Sequence, residues 1–368
     1  MLLIQIVPSI APKVDGIGDH GLELARRLRE EHGIQSAFLV CDLSWEGGPI
    51  EGFPALRLND RTEETFERAI AELQHRVQDV GPPEVLLHFS PYGYEKRGCP
   101  FWLVRLLERW NARNPDRLHI GFHELENHNR NPLSSTFWLS GVQRALVTRV
   151  CKLGRYKYSN TEPHRHKLEM RGSGRIFWAP SFSTLGEAST YPGWDQRNPR
   201  IVVFGRGVQR KEAYGRGGEA LRFLCNALQI RTIVDIGERI NIDSKAFPGM
   251  TIETTGRLPP AAVVDLMIHS LGSFISYPVP LLTKSSIYAV SCAYGAVPFV
   301  HDPLSVDFSC TGIMPNRDYV PLQRHDSIFP NIALEEISRT AFANYKRRNS
   351  KFAAALAGAQ IFHVPTML

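Results

Sequence analysis

Two segments of this 368-residue chain set cations and hydroxyls at a spacing that suits a phosphorylated ligand. Phe204-Gly205-Arg206-Gly207-Val208-Gln209-Arg210-Lys211 places three cations just beyond an apolar run, Ile201–Phe204. Phosphate oxygens need several charge-assisted donors, and glycines let the backbone approach, so the segment suits a diphosphate. A solvated basic loop has the same composition. Thr283-Lys284-Ser285-Ser286 opens a helical stretch. Hydroxyls, backbone N–H groups and one lysine there form a second anion cradle, or an ordinary serine cap. No carboxylate stands between Asp265 and Asp302 to repel an anion.

Gly16-Ile17-Gly18-Asp19-His20-Gly21 matches GxGxxG, and Asp42 stands where a ribose-binding acid would. A nicotinamide site has its first glycine almost directly after the strand, whereas Pro8–Asp15 intervene here. That leaves an anion site at a helix N-terminus, or glycines for tight packing. His123-Glu124-Leu125-Glu126-Asn127-His128 is one residue too long for the zinc motif HExxH. Histidines five apart do not share a helical face, so no metal is expected from them. His123 instead follows a buried strand at a ligand-facing end, or is a hydrogen-bonded loop histidine. Pro91–Gly98 carries Tyr92, Tyr94, Lys96 and Arg97 after a strand and suits stacking on a sugar or acceptor ring, or plain packing.

These motifs need a scaffold. The chain is 43% hydrophobic and 22% charged, which provides a sizeable core and excludes general disorder. Its length suits two domains. The net charge of +6 is dispersed: the first 180 residues hold 24 basic and 22 acidic side chains, the rest 19 and 15. A nucleic-acid-binding arm would form a block, so nucleic acid is excluded as a partner. One stretch, Arg144–Arg175, holds nine basic residues against two acidic ones. It is a candidate for peripheral contact with anionic lipid, or a solvated helix face. Six cysteines form no CxxC, and no apolar run reaches 18 residues, so a reduced cytoplasmic protein is expected.

Apolar runs at Leu2–Val7, Ile34–Cys41, Val85–Phe89 and Leu118–Phe122 read as buried strands, with helical periodicity between them. The pattern restarts with strands at Ile201–Phe204, Thr232–Ile236, Phe274–Ile275 and Val297–Val300. Alternation of this kind means α/β domains with parallel sheets and helices on both faces. The expected organisation is a Rossmann-like domain over 1–182, a Pro/Gly-rich linker over 183–200, and a second Rossmann-like domain over 201–332. A helical tail over 333–368 packs across them. Ligands are expected at the strand C-termini, in a cleft.

With these motifs in this order, the chain resembles a bacterial glycosyltransferase of the two-Rossmann GT-B class, closest to group 1 (family-4-like). The resemblance rests on Gly16–Asp19, Pro91–Gly98 with Phe101–Leu103, Phe122–Leu125, Ser134–Leu139 and Ser181–Ser183 with Gly186-Glu187. Phe204–Arg206 and Lys284–Ser286 with Gly295 and Pro298 complete it. It implies transfer of a sugar from a nucleoside-diphosphate sugar to an acceptor hydroxyl, retaining and metal-independent, with no cofactor. Gly16, Gly18, Gly205, Lys284, Ser285 and Ser286 would bind the donor. His123, Arg206 and Lys211 would be catalytic, and Asp19, Tyr92, Tyr94, Arg97 and Glu124 would face the acceptor. The chain departs from the family pattern in lacking two glutamates eight positions apart around 282–294; it has Ser276, Tyr277, Pro278 and Val290 there. A binding module without turnover therefore stays open, as does, more distantly, a nicotinamide oxidoreductase.

Overall fold

A computed structural model describes residues 1–13, 15–78, 81–126, 133, 135–172, 174–304, 311–322 and 333–357. The chain divides into two units, one built on Met1–Pro180 and the other on Ser181–Asn349.

The first unit runs β1 (Leu2–Val7), α1 (Gly16–His32), β2 (Gln35–Val40), β3 (Ala55–Arg57), α2 (Glu63–Val77), β4 (Glu84–Phe89) and α3 (Pro91–Tyr94). It continues with α4 (Phe101–Arg113), β5 (Leu118–Phe122), α5 (Ser135–Leu153), β6 (Tyr156–Ser159), α6 (Glu162–Met170) and β7 (Phe177–Trp178). All seven strands are parallel, in the order β3-β2-β1-β4-β5-β6-β7. β1 is buried along its whole length because helices cover both faces of the sheet. Ile4 and Ile6 pack with Phe66, Ile70 and Leu107 from α2 and α4. On the other face Val7 packs with Leu22 and Ala25 of α1. Asp15 caps α1, and Gly33, at φ 64, ends it in the left-handed conformation that favours glycine.

The second unit runs β8 (Asn198–Phe204), α7 (Gly207–Tyr214), α8 (Gly218–Ala227), β9 (Thr232–Ile236), β10 (Thr251–Gly256), α9 (Pro260–Ile268) and β11 (Ser270–Ser276). Then come α10 (Ser286–Ala293), β12 (Val297–His301), β13 (Val320–Leu322) and α11 (Leu334–Ala357). Its six parallel strands are ordered β10-β9-β8-β11-β12-β13. Val202, Val234, Ile275 and Val300 pack towards α9 and α10. Ile201, Val203, Ile233 and Phe274 pack towards α7 and α8. The order of strands reverses between β1 and β4 in one sheet and between β8 and β11 in the other. Such switch points open a crevice at the strand C-termini, where α/β proteins bind ligands.

The stretch 183–200 is not a free tether. Ser183 donates its N–H to Tyr345 Oη (2.8 Å), Tyr294 Oη donates to the Leu185 carbonyl (2.5 Å), and Arg197 donates to the carbonyls of Ser270 (2.8 Å) and Tyr294 (2.9 Å). Prolines and glycines keep it irregular, while side chains of the second unit satisfy its backbone. Up to Asn349, α11 also belongs to this unit: Asn344 and Arg348 hold the buried Asp318 at 2.9 and 2.8 Å. Residues 358–368 of the expected tail lie outside the described residues.

Candidate functional site

In the second unit the Phe204–Lys211 segment is a strand end followed by a helix. Phe204 closes β8, Arg206 is the extended N-cap of α7, and Gly207 begins the helix. Gly205 sits at φ 137, and a Cβ there would stand 2.6 Å from Ile287 Cδ1. Only glycine lets the loop press against the start of α10, which makes the Arg206 loop and the Ser286 end neighbours. A small pocket opens at this switch point, lined by Phe204, Gln209, Ala213, Ser276, Tyr277 and Ile287.

The three cations of the segment separate into two roles. Arg206 and Lys211 are exposed, and among the described residues no carboxylate pairs with either. Arg210 is 0% exposed and turned inward. It forms a buried ion pair with Asp235 and donates to the carbonyls of Gly205 (3.1 Å) and Glu238. Burial pushes the Asp235 carboxyl up, against the pull of Arg210. Arg210 is therefore a brace under the loop.

At the α10 start, the Ser285 hydroxyl accepts the Tyr288 N–H (3.3 Å), so this serine is a helix cap. Lys284 ends a 3-10 turn, and it and Ser286 are half-buried. Ser276 Oγ meets His301 Nδ1 at 3.0 Å, a pairing across β11 and β12 absent from the sequence reading. Leu282 and Val290, eight positions apart, are both 0% exposed in the apolar core.

The first unit corrects several expectations. Asp15 Oδ1 accepts the N–H groups of Ile17 and Gly18, each at 2.9 Å. The helix start expected to hold an external anion at Gly16 and Gly18 is thus met by the chain's own carboxylate. Gly18 is buried because a Cβ would lie 2.2 Å from the Ser9 carbonyl oxygen, which is the packing alternative. Asp42 is bound by Lys13 (2.9 Å), Ser9 (3.0 Å) and Ser44 (2.6 Å), and these bonds, Lys13 foremost, hold its carboxyl well below the usual range. It caps a loop where a nicotinamide ribose would need it.

Tyr94, expected to face an acceptor, is buried, and its hydroxyl lies 3.0 Å from the Ile6 carbonyl and 2.9 Å from that of His88. It ties α3 to the ends of β1 and β4. Tyr92 is half-buried and accepts a hydrogen bond from Gln143 (2.9 Å), while Arg97 is exposed. Glu124 accepts from Ser90 (2.8 Å), and Asp19 is half-buried in the first turn of α1. His128 lies outside the described residues.

His123 does not stand open at a strand end. It is 5% exposed, and its Nε2 lies 3.0 Å from His88 Nδ1. His88 Nε2 in turn meets Gln5 Oε1 at 2.7 Å, and Asn160 Nδ2 approaches His123 Nδ1 at 3.4 Å. His20 joins them, its ring centroid 4.9 Å from that of His123. Ring nitrogens of His20, His88 and His123 all lie within 4.8 Å of one another. Burial lowers His20 to about 4 and holds His88 well below its usual value, so both imidazoles are neutral near pH 7. In the sequence His20 enters only as a member of the GxGxxG match, and no chemistry is assigned to His88.

At least four of the nine Arg144–Arg175 cations are ion-paired. Arg149 is bidentate on Glu108, Arg165 bridges Glu162 and Glu169, and Arg171 with Arg144 meets the buried Glu126. Cations so paired, and divided among α5, β6 and α6, offer less to anionic lipid than nine bare cations on one face. No helix among the described residues is long and apolar enough to cross a membrane.

No protein-family model and no curated protein matches the sequence. Solved structures do match in fold. A UDP-forming α,α-trehalose-phosphate synthase from Burkholderia xenovorans superposes with a TM-score of 0.56 at 12% identity, covering 99% of each chain. The α,α-trehalose-phosphate synthase (UDP-forming) of Burkholderia vietnamiensis gives 0.54 at 11%, over 99% of this chain and 98% of the other. An α-glucosyltransferase, solved with UDP-glucose and DNA containing an abasic site, gives 0.53 at 11%, over 96% and 94%. At such identities the likeness is one of architecture, and its extent matches the two parallel-sheet units seen here: the chain has the GT-B fold of these glycosyltransferases.

Proposed function

We propose that the chain is a nucleotide-sugar-dependent glycosyltransferase that moves a sugar to an acceptor hydroxyl, with retention and with no metal at the diphosphate. The observation carrying this reading is the pair Arg206 and Lys211, exposed in the segment that leaves β8 at the switch point of the second sheet and lacking a carboxylate partner among the described residues. In the transition state the sugar ring gains positive charge and the leaving diphosphate gains negative charge. Cations already in place stabilise that oxygen without reorganising. Lys284 and Ser286 support it from the α10 start. With no DxD triplet in the sequence, these cations take the role a divalent ion has elsewhere. The leaving diphosphate oxygen accepts the acceptor's proton on the same face.

In the first unit Asp19, Tyr92, Arg97 and Glu124 are the proposed acceptor contacts, and Tyr94 only holds their scaffold. His123 is the proposed floor of that region. The fold likeness to an enzyme solved with UDP-glucose makes UDP-sugars the first donors to test.

A thermal-shift screen against UDP-, GDP-, ADP- and dTDP-sugars identifies the donor, since a ligand of the native state raises its melting point. Arg206→Ala and Lys211→Ala should each cost about 2–4 kcal/mol in kcat/KM, roughly 30- to 1,000-fold. Wild-type kinetics in either variant would remove the assignment. The apolar Leu282 and Val290, and the absence of any acid from 266 to 301, favour one second reading: a nucleotide-sugar-binding module without turnover. Saturable donor binding with no transfer over a broad acceptor panel would select it.

A further inference from the structure

We propose that His20, His88 and His123 form a binding site for a divalent ion of the zinc class in the first unit. Three separate elements supply them: α1, β4 and the turn after β5. One nitrogen from each lies within 4.8 Å of the others, and the closest pair is 3.0 Å apart. Tetrahedral zinc with nitrogen ligands sets those nitrogens about 3.3 Å apart, so closure of the third needs only a side-chain shift. An all-imidazole donor set suits zinc, cobalt or nickel, and does not suit magnesium or calcium.

The surroundings are already those of a ligating histidine. Such a histidine donates its other ring N–H to an oxygen, which fixes the tautomer. Gln5 Oε1 takes this position at His88 Nε2 (2.7 Å), while the Gln5 amide nitrogen is oriented by Ser36 Oγ (3.4 Å). His88 Nδ1 therefore presents its lone pair towards His123. For His123 to bind through Nε2, its proton moves to Nδ1, and Asn160 turns its amide to offer oxygen instead of nitrogen. The ion then replaces the proton between the two rings, which stays on His123, and the one proton released is that of Tyr158 when it ligates as phenolate. Tyr158 Oη lies 3.4 Å from His88 Nδ1 and is placed as an oxygen donor for a fourth position. It reaches there only because Gly121 lies between: a Cβ at 121 would stand 2.3 Å from Tyr158 Oη. The three histidines are at most 5% exposed, as in closed structural sites.

The failed HExxH spacing and the missing DxD triplet do not bear on this cluster, since its members lie far apart in sequence. Nor does it depend on the transferase reading: nucleotide binding in the second unit and metal binding in the first can each fail alone.

The test loads the full chain with Zn2+ or Co2+, desalts it, and measures metal per chain by mass spectrometry, with the visible spectrum of the cobalt form. One ion per chain and a tetrahedral cobalt band are expected, unchanged in the exposed control His166→Ala. His20→Gln and His123→Gln should lower affinity at least ten-fold, and Asn160→Ala by about 10- to 100-fold. No retained metal in the wild type, or equal retention by His20→Gln and His123→Gln, overturns the proposal. Should those variants fail to fold, the wild-type cobalt spectrum decides: without a tetrahedral band the site does not exist.

Discussion

Arg210→Ala tests how the Phe204–Lys211 segment divides between folding and binding. The guanidinium is 0% exposed, and its partner Asp235 is 2% exposed. Truncation leaves a buried carboxylate without its cation and two carbonyls, those of Gly205 and Glu238, without a donor. Breaking one side of a buried pair costs about 3–5 kcal/mol. Against a total stability of about 5–15 kcal/mol for a domain, that is a large fraction. Two units need not unfold together, so the suitable assay is hydrogen exchange at the β8 and β9 amides, which reads the second unit alone. Arg206→Ala and Lys211→Ala, being exposed, should stay within about 0.5 kcal/mol of wild type. The double variant Arg210→Met/Asp235→Leu should recover part of the loss, because neither charge remains to be buried while the Gly205 and Glu238 carbonyls still lack their donor. The loss also has a pH sign. Without Arg210 the Asp235 carboxyl, already raised by burial, is raised further in the folded state. Stability of the single variant then falls as pH rises from the ordinary carboxylate range through that value, so the deficit grows with pH. Wild-type protection in Arg210→Ala, or no rescue in the double variant, would refute the division of roles.

Tyr94→Phe should destabilise the first unit by about 1–3 kcal/mol, since it removes the buried hydroxyl between two carbonyls, and leave donor binding unchanged. If denaturant melts match wild type and acceptor KM rises instead, Tyr94 is an acceptor contact after all. Burial pushes the thiols of Cys41, Cys225 and Cys292 up to about 12, which leaves roughly one thiolate in 10,000 at pH 8. Peptide mapping after brief labelling with a thiol reagent should find these three unmodified in the native protein and modified once it is unfolded. Early labelling of Cys225 or Cys292 would contradict their place in the core.

The central strands were legible because burial on both faces makes them near-continuous apolar runs. β1, β5 and β9 fall at their expected bounds. Strands at the margins were not. Thr251–Gly256 is polar and largely exposed, and Phe177–Trp178 is two residues long, so neither leaves a periodic signal. Helix α7 is short, and its eight residues, GVQRKEAY, carry little apolar periodicity. As a helix, Arg210 shares a face with Ala213 and Tyr214, and that spacing was the available sign that Arg210 points inward.

Composition locates a cation near a strand end but says nothing about which way it turns, and the histidine cluster shows why. No spacing rule connects positions 20, 88, 123 and 158. Register connects them: His88 pairs with Gly121 on β5, and Gly121 with Tyr158 on β6, so the three form one row across adjacent strands. The middle position has no side chain, so the Tyr158 ring crosses it to reach His88. His123 follows β5 immediately, and α1, where a Cβ on Gly21 would stand 3.2 Å from Gln5 Oε1 and 3.4 Å from His88 Nε2, brings His20 beside the same row. Once the order β2-β1-β4-β5-β6 is known, the polar Gln5 in the otherwise apolar β1 has a reason: it faces the histidines from the neighbouring strand. In the sequence this exception was one glutamine within a hydrophobic run, and only strand order converts it into a statement about a site.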